Sequence, residues 1–168
     1  TPEIKDYSAY SLPINLQYCI EKGYHYMLYS GEEEDLKGQH PAWLKMSCLE
    51  KLNLERYDWI WVLDCDAVVN NFSITLESII EKDPKPIIIS ENNLNGGRLL
   101  NSGSTIYRSD FIPKLLARYD RCIEEGYRFL SERFWDQELI NDMYLEDPSL
   151  FSVRPMQELN SYWKVDLF

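Results

Sequence analysis

The stretch YDWIWVLDCDAV, residues 57–68, joins an apolar run directly to two carboxylates, Asp64 and Asp66. Side chains two residues apart in an extended segment point the same way, so both carboxylates can face one ion at the end of a buried strand. Burying such charge is costly unless a cation neutralises it. Mg²⁺ and Mn²⁺ take one or two carboxylates together with substrate phosphates. The stretch therefore predicts a metal and phosphate site at the edge of an α/β sheet, with a capped turn as the alternative.

The composition is that of one ordinary globular domain. The chain has 168 residues, of which 45% are hydrophobic and 27% charged, so we expect a single domain over residues 1–168, complete or part of a longer chain. A net charge of −11 argues against a nucleic-acid partner. No apolar run reaches the length of a membrane span. Four scattered cysteines without metal-ligand spacing predict reduced thiols in a cytoplasmic protein: Cys19, Cys48, Cys65 and Cys122.

Helical and extended patterns alternate along the chain. They predict helices over 12–22, 41–54, 75–82, 109–125 and 131–144, strands over 24–29, 59–64, 86–90 and 100–107, and an irregular or strand-like tail from residue 151. In the first helix we expect Leu16, Cys19 and Ile20 on the buried side. The order of elements predicts a mostly parallel sheet with residues 59–64 as the central strand and helices on both faces. Ligands then bind at the carboxyl ends of the strands, where Asp64 and Asp66 lie.

Two classes of enzyme place such a pair of aspartates at a strand end. In haloacid-dehalogenase-type phosphatases the first, here Asp64, is the nucleophile and the second, here Asp66, the general acid. Those enzymes also need a later lysine and a second acidic cluster. The only late candidates for that cluster are Asp136 and Asp142, and both lie inside a predicted helix. In GT-A nucleotide-sugar glycosyltransferases the pair holds a divalent ion that bridges the donor diphosphate.

Six segments decide between these classes: YCIEKGY (18–24), WLK (43–45), WIWVLDCDA (59–67), LNSG (100–103), DQ (136–137) and QELNSY (157–162). In this order they resemble the motifs of glycosyltransferase family thirty-four, the galactosyl-, mannosyl- and xylosyltransferases, and compact virus-encoded or microbial enzymes are similar. The resemblance implies the GT-A fold, which is Rossmann-like, and transfer of a hexose from UDP-hexose to a hydroxyl of a glycan or glycoprotein. A retaining reaction is favoured; an inverting one requires Asp136 to act as base on the far face of the sugar.

The resemblance also implies roles for individual residues. Asp64 and Asp66 hold Mn²⁺ or Mg²⁺, with Asp66 as the more direct ligand, and Asp136 and Gln137 are the catalytic candidates. Several candidates also have a purely structural interpretation. Lys45 is then a solvated lysine on a helix, Asn101 and Gly103 form a plain turn, and Asp136 is a surface carboxylate. The candidate donor-binding residues are Lys45, Asp64, Cys65, Asp66, Arg98, Asn101 and Gly103.

The chain also departs from the family pattern. Trp135 stands where the family has the first aspartate of Asp-Asp-Gln, and no histidine follows residues 160–162 as a third metal ligand. His25 and His40 lie far earlier and are interpreted as structural or surface residues. These departures keep open a module that binds a nucleotide sugar without catalysis. We expect this protein in the cytoplasm, which is the cytoplasm of the host if the enzyme is viral. A fragment of an anchored enzyme would instead lie in the Golgi lumen.

Overall fold

The computed structural model describes residues 5–92, 100–126 and 135–159. Its strands are β1 (Trp59–Leu63), β2 (Ile87–Glu91), β3 (Leu100–Arg108) and β4 (Phe151–Arg154). Its α-helices are α1 (Lys5–Lys22), α2 (Leu44–Lys51), α3 (Leu76–Ile80), α4 (Ile112–Glu125), α5 (Trp135–Glu146) and α6 (Met156–Leu159). Within this described part, no helix is both long and apolar enough to cross a membrane.

The four strands form one mixed sheet in the order β1-β3-β2-β4. Strand β3 pairs antiparallel with both β1 and β2, and only β2 and β4 pair in parallel. The α/β class is confirmed, but the expected mostly parallel arrangement is wrong for two of these three pairings. Strand β1, expected at the centre, is an edge strand of this sheet.

Helices pack on both faces of the sheet, as predicted, and hydrophobic side chains fill the space between them and the strands. Side chains of β2 alternate between the faces, because successive residues of a strand point in opposite directions. Ile87 and Ile89 join the larger core, to which the turn before α2 contributes Trp43 and helices α2, α4 and α5 contribute Met46, Leu49, Leu115, Tyr119, Leu139 and Ile140. Ile88 lies on the opposite face with Ile106 and with Ile79 of α3.

Most of the predicted helices occur, with shifted ends. The sequence leaves Ser73 and Thr75 as alternative caps of α3, and Thr75 is the cap, accepting a hydrogen bond from the backbone N–H of Ser78 at 3.2 Å. Pro41 begins a 3₁₀ turn that leads into α2, which ends at Lys51 rather than at 54. The predicted strand over 24–29 is wrong, since those residues carry no strand. Residues 93–99 and 131–134 lie outside the described residues.

Helix α1 is buried along a different side from the one expected. Cys19 is buried as predicted, but Leu16 is 42% exposed and Ile20 is 64% exposed, so the expectation for these two residues is wrong. The buried positions are instead mainly polar: Ser11, Asn15 and Tyr18. These three side chains donate hydrogen bonds to backbone carbonyls of the segment that follows β1. The need to satisfy those carbonyls explains why polar side chains occupy buried positions of α1.

Candidate active site

The two predicted carboxylates lie where β1 ends. The backbone N–H of Asp64 donates to the carbonyl of Gly103 at 2.8 Å, which ties the end of β1 to β3. The N–H of Ala67 then donates to the carbonyl of Asp64 at 3.0 Å and closes a turn around Asp66. This turn takes the chain out of the sheet at its carboxyl end, the edge at which ligands of α/β proteins gather.

A cleft of about 460 Å³ opens beside this turn. Four of the predicted site residues line it, namely Asp64, Asp66, Asn101 and Gly103. Its remaining walls include apolar side chains of β1, α3 and the segment between them, among them Trp61, Ile74, Leu76 and Ile79. The volume falls within the range of about 300–1,000 Å³ that is usual for small-molecule pockets. Further polar side chains, those of Asn70, Asn71, Gln157 and Glu158, also line the cleft, so its walls are mixed in character.

One lysine connects Asp64 to α5. The Nζ atom of Lys45 lies 2.8 Å from Oδ1 of Asp64 and 3.0 Å from Oδ2 of Asp136. It also donates to the carbonyl of Ser102 at 3.1 Å. The Asp136 side chain is only 7% exposed and that of Lys45 18%. The alternatives of a solvated lysine and a surface carboxylate are therefore wrong: both groups form one buried ion-pair network.

The charges in this network perturb one another. Burial opposes the positive charge of Lys45, but Asp136 and Asp64 outweigh it, so the pKa of the lysine lies above its ordinary value. Burial raises the pKa of Asp64; Lys45 counteracts this, whereas Asp136 and Asp66 raise the pKa further. Asp64 is therefore only partly compensated, and a further cation at the cleft would stabilise its charged form.

The raised pKa of Asp64 predicts how stability depends on pH. A carboxyl group whose pKa is higher in the folded protein binds its proton more tightly there, so its contribution to stability falls as pH rises from the ordinary value of 3.8 through the raised pKa. Lowering the pH from about 7 to about 4 should therefore favour the wild type over Asp64→Asn. Urea denaturation of both proteins across this range checks it, and a constant difference in unfolding free energy would contradict it.

The first residues of β3 are held by amide side chains of α5. Asn141 accepts from the N–H of Leu100 at 3.0 Å and donates to the carbonyl of Gln137 at 2.7 Å. Gln137 accepts from the N–H of Ser102 at 3.4 Å, while its Nε2 atom has no hydrogen-bond partner among the described residues. Within β3, Asn101 accepts from the N–H of Gly103 at 2.8 Å. Two candidates, Gln137 and Asn101, thus order the backbone beside Asp64.

Asn141 was not predicted from the sequence, and its contacts carry a testable consequence. Asn141→Leu keeps the size of the side chain but leaves the buried N–H of Leu100 without this acceptor, so we expect a loss of about 2 kcal/mol of unfolding free energy. Urea denaturation measures it. Leu145→Ala changes an exposed residue of the same helix and should stay within about 0.5 kcal/mol of wild type. Equal effects of the two substitutions would contradict the role given to Asn141.

A register shift in the sheet makes the backbone of residues 102–104 available to these partners. Ile89 of β2 pairs with Thr105, yet the next residue, Ser90, pairs with Asn101. The three residues between them therefore have no partner in β2, which is the geometry of an extended β-bulge. Instead, the carbonyl of Ser102 accepts a hydrogen bond from Lys45, and the carbonyl of Gly103 accepts one from the N–H of Asp64.

Trp135, which stands where the family pattern has an aspartate, forms an aromatic stack. The Trp135 ring lies parallel to that of His40, with 4.0 Å between ring centroids and 4° between planes. Trp135 also has a positive φ of 31°, a conformation that is uncommon for a bulky residue. It is the first residue of α5, next to Asp136, so this stack borders the ion-pair network.

Other predicted residues lie apart from these groups. Cys65 is exposed and does not line the cleft, and burial raises the pKa of its thiol, as do Asp66 and Asp64. Arg98 lies outside the described residues. Among the residues that are described, no three His, Cys, Asp or Glu side chains are grouped to hold a metal ion. The available set is a pair of carboxylates with room for ligand oxygens, which fits Mg²⁺ or Mn²⁺ bound together with phosphates.

Comparison with known proteins gives a match to a family model and a match to a solved structure. Residues 13–94 match the model of the galactosyl transferase GMA12/MNN10 family. The fold is similar to the crystal structure of a glycosyltransferase involved in the glycosylation of the major capsid of PBCV-1, with a TM-score of 0.64 and 16% sequence identity. That match covers 89% of this chain and 75% of the other. No curated protein matches the sequence.

These matches agree with the motifs that the sequence analysis singled out. The segment matched by the family model contains Lys45, Asp64 and Asp66. They favour sugar transfer over the phosphatase, the alternative that also places two aspartates at a strand end. The family match and the shared fold identify the chain as a glycosyltransferase that resembles the galactosyl transferase GMA12/MNN10 family.

Proposed function

We propose that this enzyme transfers a hexose from UDP-hexose to a hydroxyl group of a glycan or glycoprotein, with Mn²⁺ or Mg²⁺ as cofactor. The observation that carries the proposal is the position of Asp64 and Asp66 together on the wall of the cleft at the end of β1. In this proposal the nucleoside lies against the apolar walls and the diphosphate lies beside the two carboxylates.

The chemistry of the carboxylates supports a divalent ion at this place. Lys45 contacts Oδ1 of Asp64, which leaves the second oxygen of Asp64 and the exposed carboxylate of Asp66 for a cation. A bound Mn²⁺ or Mg²⁺ would offset the charge that develops on the diphosphate leaving group. Asp66 is accordingly the principal protein ligand in this proposal.

The network around Lys45 supports a place for the transferred sugar. Asp136 is fixed by Lys45, and the free Nε2 donor of the neighbouring Gln137 is buried beside Ser102. A buried donor without a partner is costly, so a hydroxyl group of the sugar that accepts from it would be bound favourably. We propose a retaining reaction in which the leaving phosphate acts as base, in line with the family that the chain resembles.

Calorimetric titration tests the proposal directly. UDP, GDP and UDP-glucose are titrated into the protein with Mn²⁺ and again with EDTA. Tight binding of UDP that EDTA abolishes is the expected result, and absence of binding under both conditions would overturn the proposal. Metal-dependent binding without transfer or hydrolysis of the donor would instead indicate a module that binds the nucleotide sugar and has lost catalysis.

A further inference from the structure

The segment that carries Asp66 has no regular secondary structure. Residues 64–75 connect β1 to α3 and belong to neither a helix nor a strand. Backbone groups in such a segment are not paired by a ladder, so other parts of the protein have to satisfy those that are removed from water.

Helix α1 supplies these partners from one face. Ser11 Oγ donates to the carbonyl of Cys65, and Tyr18 OH donates to the carbonyl of Ile74 at 2.8 Å. Asn15 makes two hydrogen bonds, in which Nδ2 donates to the carbonyl of Ala67 at 3.0 Å and Oδ1 accepts from the N–H of Val69 at 2.9 Å. Residues 11, 15 and 18 are spaced by four and three positions, which places them on one side of a helix.

These bonds enclose Asp66. Ser11 holds the residue before it and Asn15 holds the residue after it. Asn15 is itself buried, with only 5% of its surface exposed, and it bonds both a donor and an acceptor of the segment, as a neighbouring strand would. The backbone on both sides of Asp66 is therefore held by a helix some fifty positions earlier in the chain, since the Asn15 contacts span 52 and 54 residues.

We propose that Asn15, assisted by Ser11, is a positioning residue that orders the Asp66 turn before the ligand arrives. The inference rests on the proposed function, because it assigns to Asp66 a contact with the cation and the donor diphosphate. If a ligand has to order the turn on binding, the free energy of ordering is subtracted from the binding free energy. A turn that is fixed in advance avoids this loss. Bonds that orient a ligating carboxylate typically change metal affinity by about 10–100-fold when removed.

Two substitutions of Asn15 separate position from charge. Asn15→Leu has a similar size and removes both bonds, whereas Asn15→Asp keeps an acceptor for Val69, loses the donor to Ala67 and adds a negative charge. We expect both variants to bind UDP with Mn²⁺ at least ~10-fold more weakly in calorimetry. If charge alone mattered, the added carboxylate would strengthen binding of the cation, so equal or tighter binding by Asn15→Asp overturns the inference.

Hydrogen exchange at the Val69 amide supplies a readout that does not need the ligand. Exchange should be faster in Asn15→Leu and unchanged in Cys19→Ala, which alters another buried residue of the same helix and serves as the control for general loss of stability. Ser11→Ala is the milder variant if Asn15→Leu does not fold, and it should shift the same two readouts in the same direction.

The two readouts also distinguish the inference from the proposed function. If the wild type binds UDP and Mn²⁺ and Asn15→Leu binds them equally well, the inference fails while the function stands. If the wild type binds neither, the proposed function fails, and unchanged exchange at Val69 in Asn15→Leu would overturn the positioning role as well. Faster exchange confined to the Asn15 and Ser11 variants supports that role in either case.

Discussion

Replacing Asp66 by alanine is expected to abolish metal-dependent binding of UDP. The remaining carboxylate, Asp64, already gives one oxygen to Lys45 at 2.8 Å, so it cannot hold a divalent ion against water by itself. We expect the affinity for UDP in the presence of Mn²⁺ to fall at least ~100-fold, which corresponds to about 2.8 kcal/mol. Calorimetric titration with Mn²⁺ and with EDTA measures the change.

The matched control lies at the other end of the same strand. Asp58 is exposed and precedes β1 directly, so Asp58→Ala removes one negative charge from the protein without touching the cleft. Its affinity for UDP with Mn²⁺ should equal that of the wild type. If Asp66→Ala keeps wild-type affinity, the two carboxylates do not bind the donor through a divalent ion, and the proposed role of the metal is wrong.

Lys45→Met is expected to cause the largest loss of stability of any substitution at the site. The change leaves Asp136, which is 7% exposed, and the partly buried Asp64 without their shared cation. Removing one partner of a buried ion pair typically costs about 3–5 kcal/mol, and two carboxylates are affected here. We expect a loss of about 3 kcal/mol in unfolding free energy at neutral pH, measured by urea denaturation.

A double variant and a change of pH test the cause of that loss. Lys45→Met combined with Asp136→Asn removes the uncompensated charge and should recover part of the stability. The pKa of Lys45 is higher in the folded protein than its ordinary value of 10.5, so its contribution is present below that pH and declines as pH rises through the raised pKa. Wild type and Lys45→Met should therefore differ more near neutrality than above pH 10.5, and a loss that is the same on both sides of that pH would contradict the ionic explanation.

The sequence predicts the end of β1 well because its signal is local. An apolar run followed by Asp64 and Asp66 requires only that the run be buried and that the strand then end, and β1 ends at Leu63. The ends of α3 and of α4 are local features too, and they lie within three residues of the predicted ranges. The ion pair between Lys45 and Asp136 spans 91 residues, so spacing alone could not have placed it.

The strand directions were predicted wrongly although the chain contains the necessary signal. Eight residues, 92–99, separate Glu91 at the end of β2 from Leu100 at the start of β3. Parallel neighbours need a crossover of about a dozen residues or more, whereas antiparallel neighbours can be joined by a short connection. Counting this connection would have predicted the antiparallel pair β2–β3.

The inner face of α1 was predicted wrongly for a different reason. Periodicity assigns the apolar side of a helix to the interior, but this helix covers an irregular segment whose backbone needs donors. Asn15 in the middle of the helix was the available signal, because asparagine is an unfavourable residue in helix interiors. A side chain that costs helix stability and is nevertheless buried indicates a hydrogen-bonding role.

The shift of register between Ile89 and Ser90 has a consequence for how this enzyme can diversify. The hydrophobic strand residues Ile87–Ile89 pair with Thr105–Tyr107, on one side of the shift, while residues 102–104 lie on the other and pair with nothing in β2. Of these three residues, only Gly103 lines the cleft, whereas Ser102 and Ser104 are buried and Ser104 accepts a hydrogen bond from the indole N–H of Trp61 at 2.9 Å. The unpaired stretch thus alternates between the core and the cleft, so variation of substrate preference at this edge is open to Gly103, while its two serine neighbours are constrained by packing.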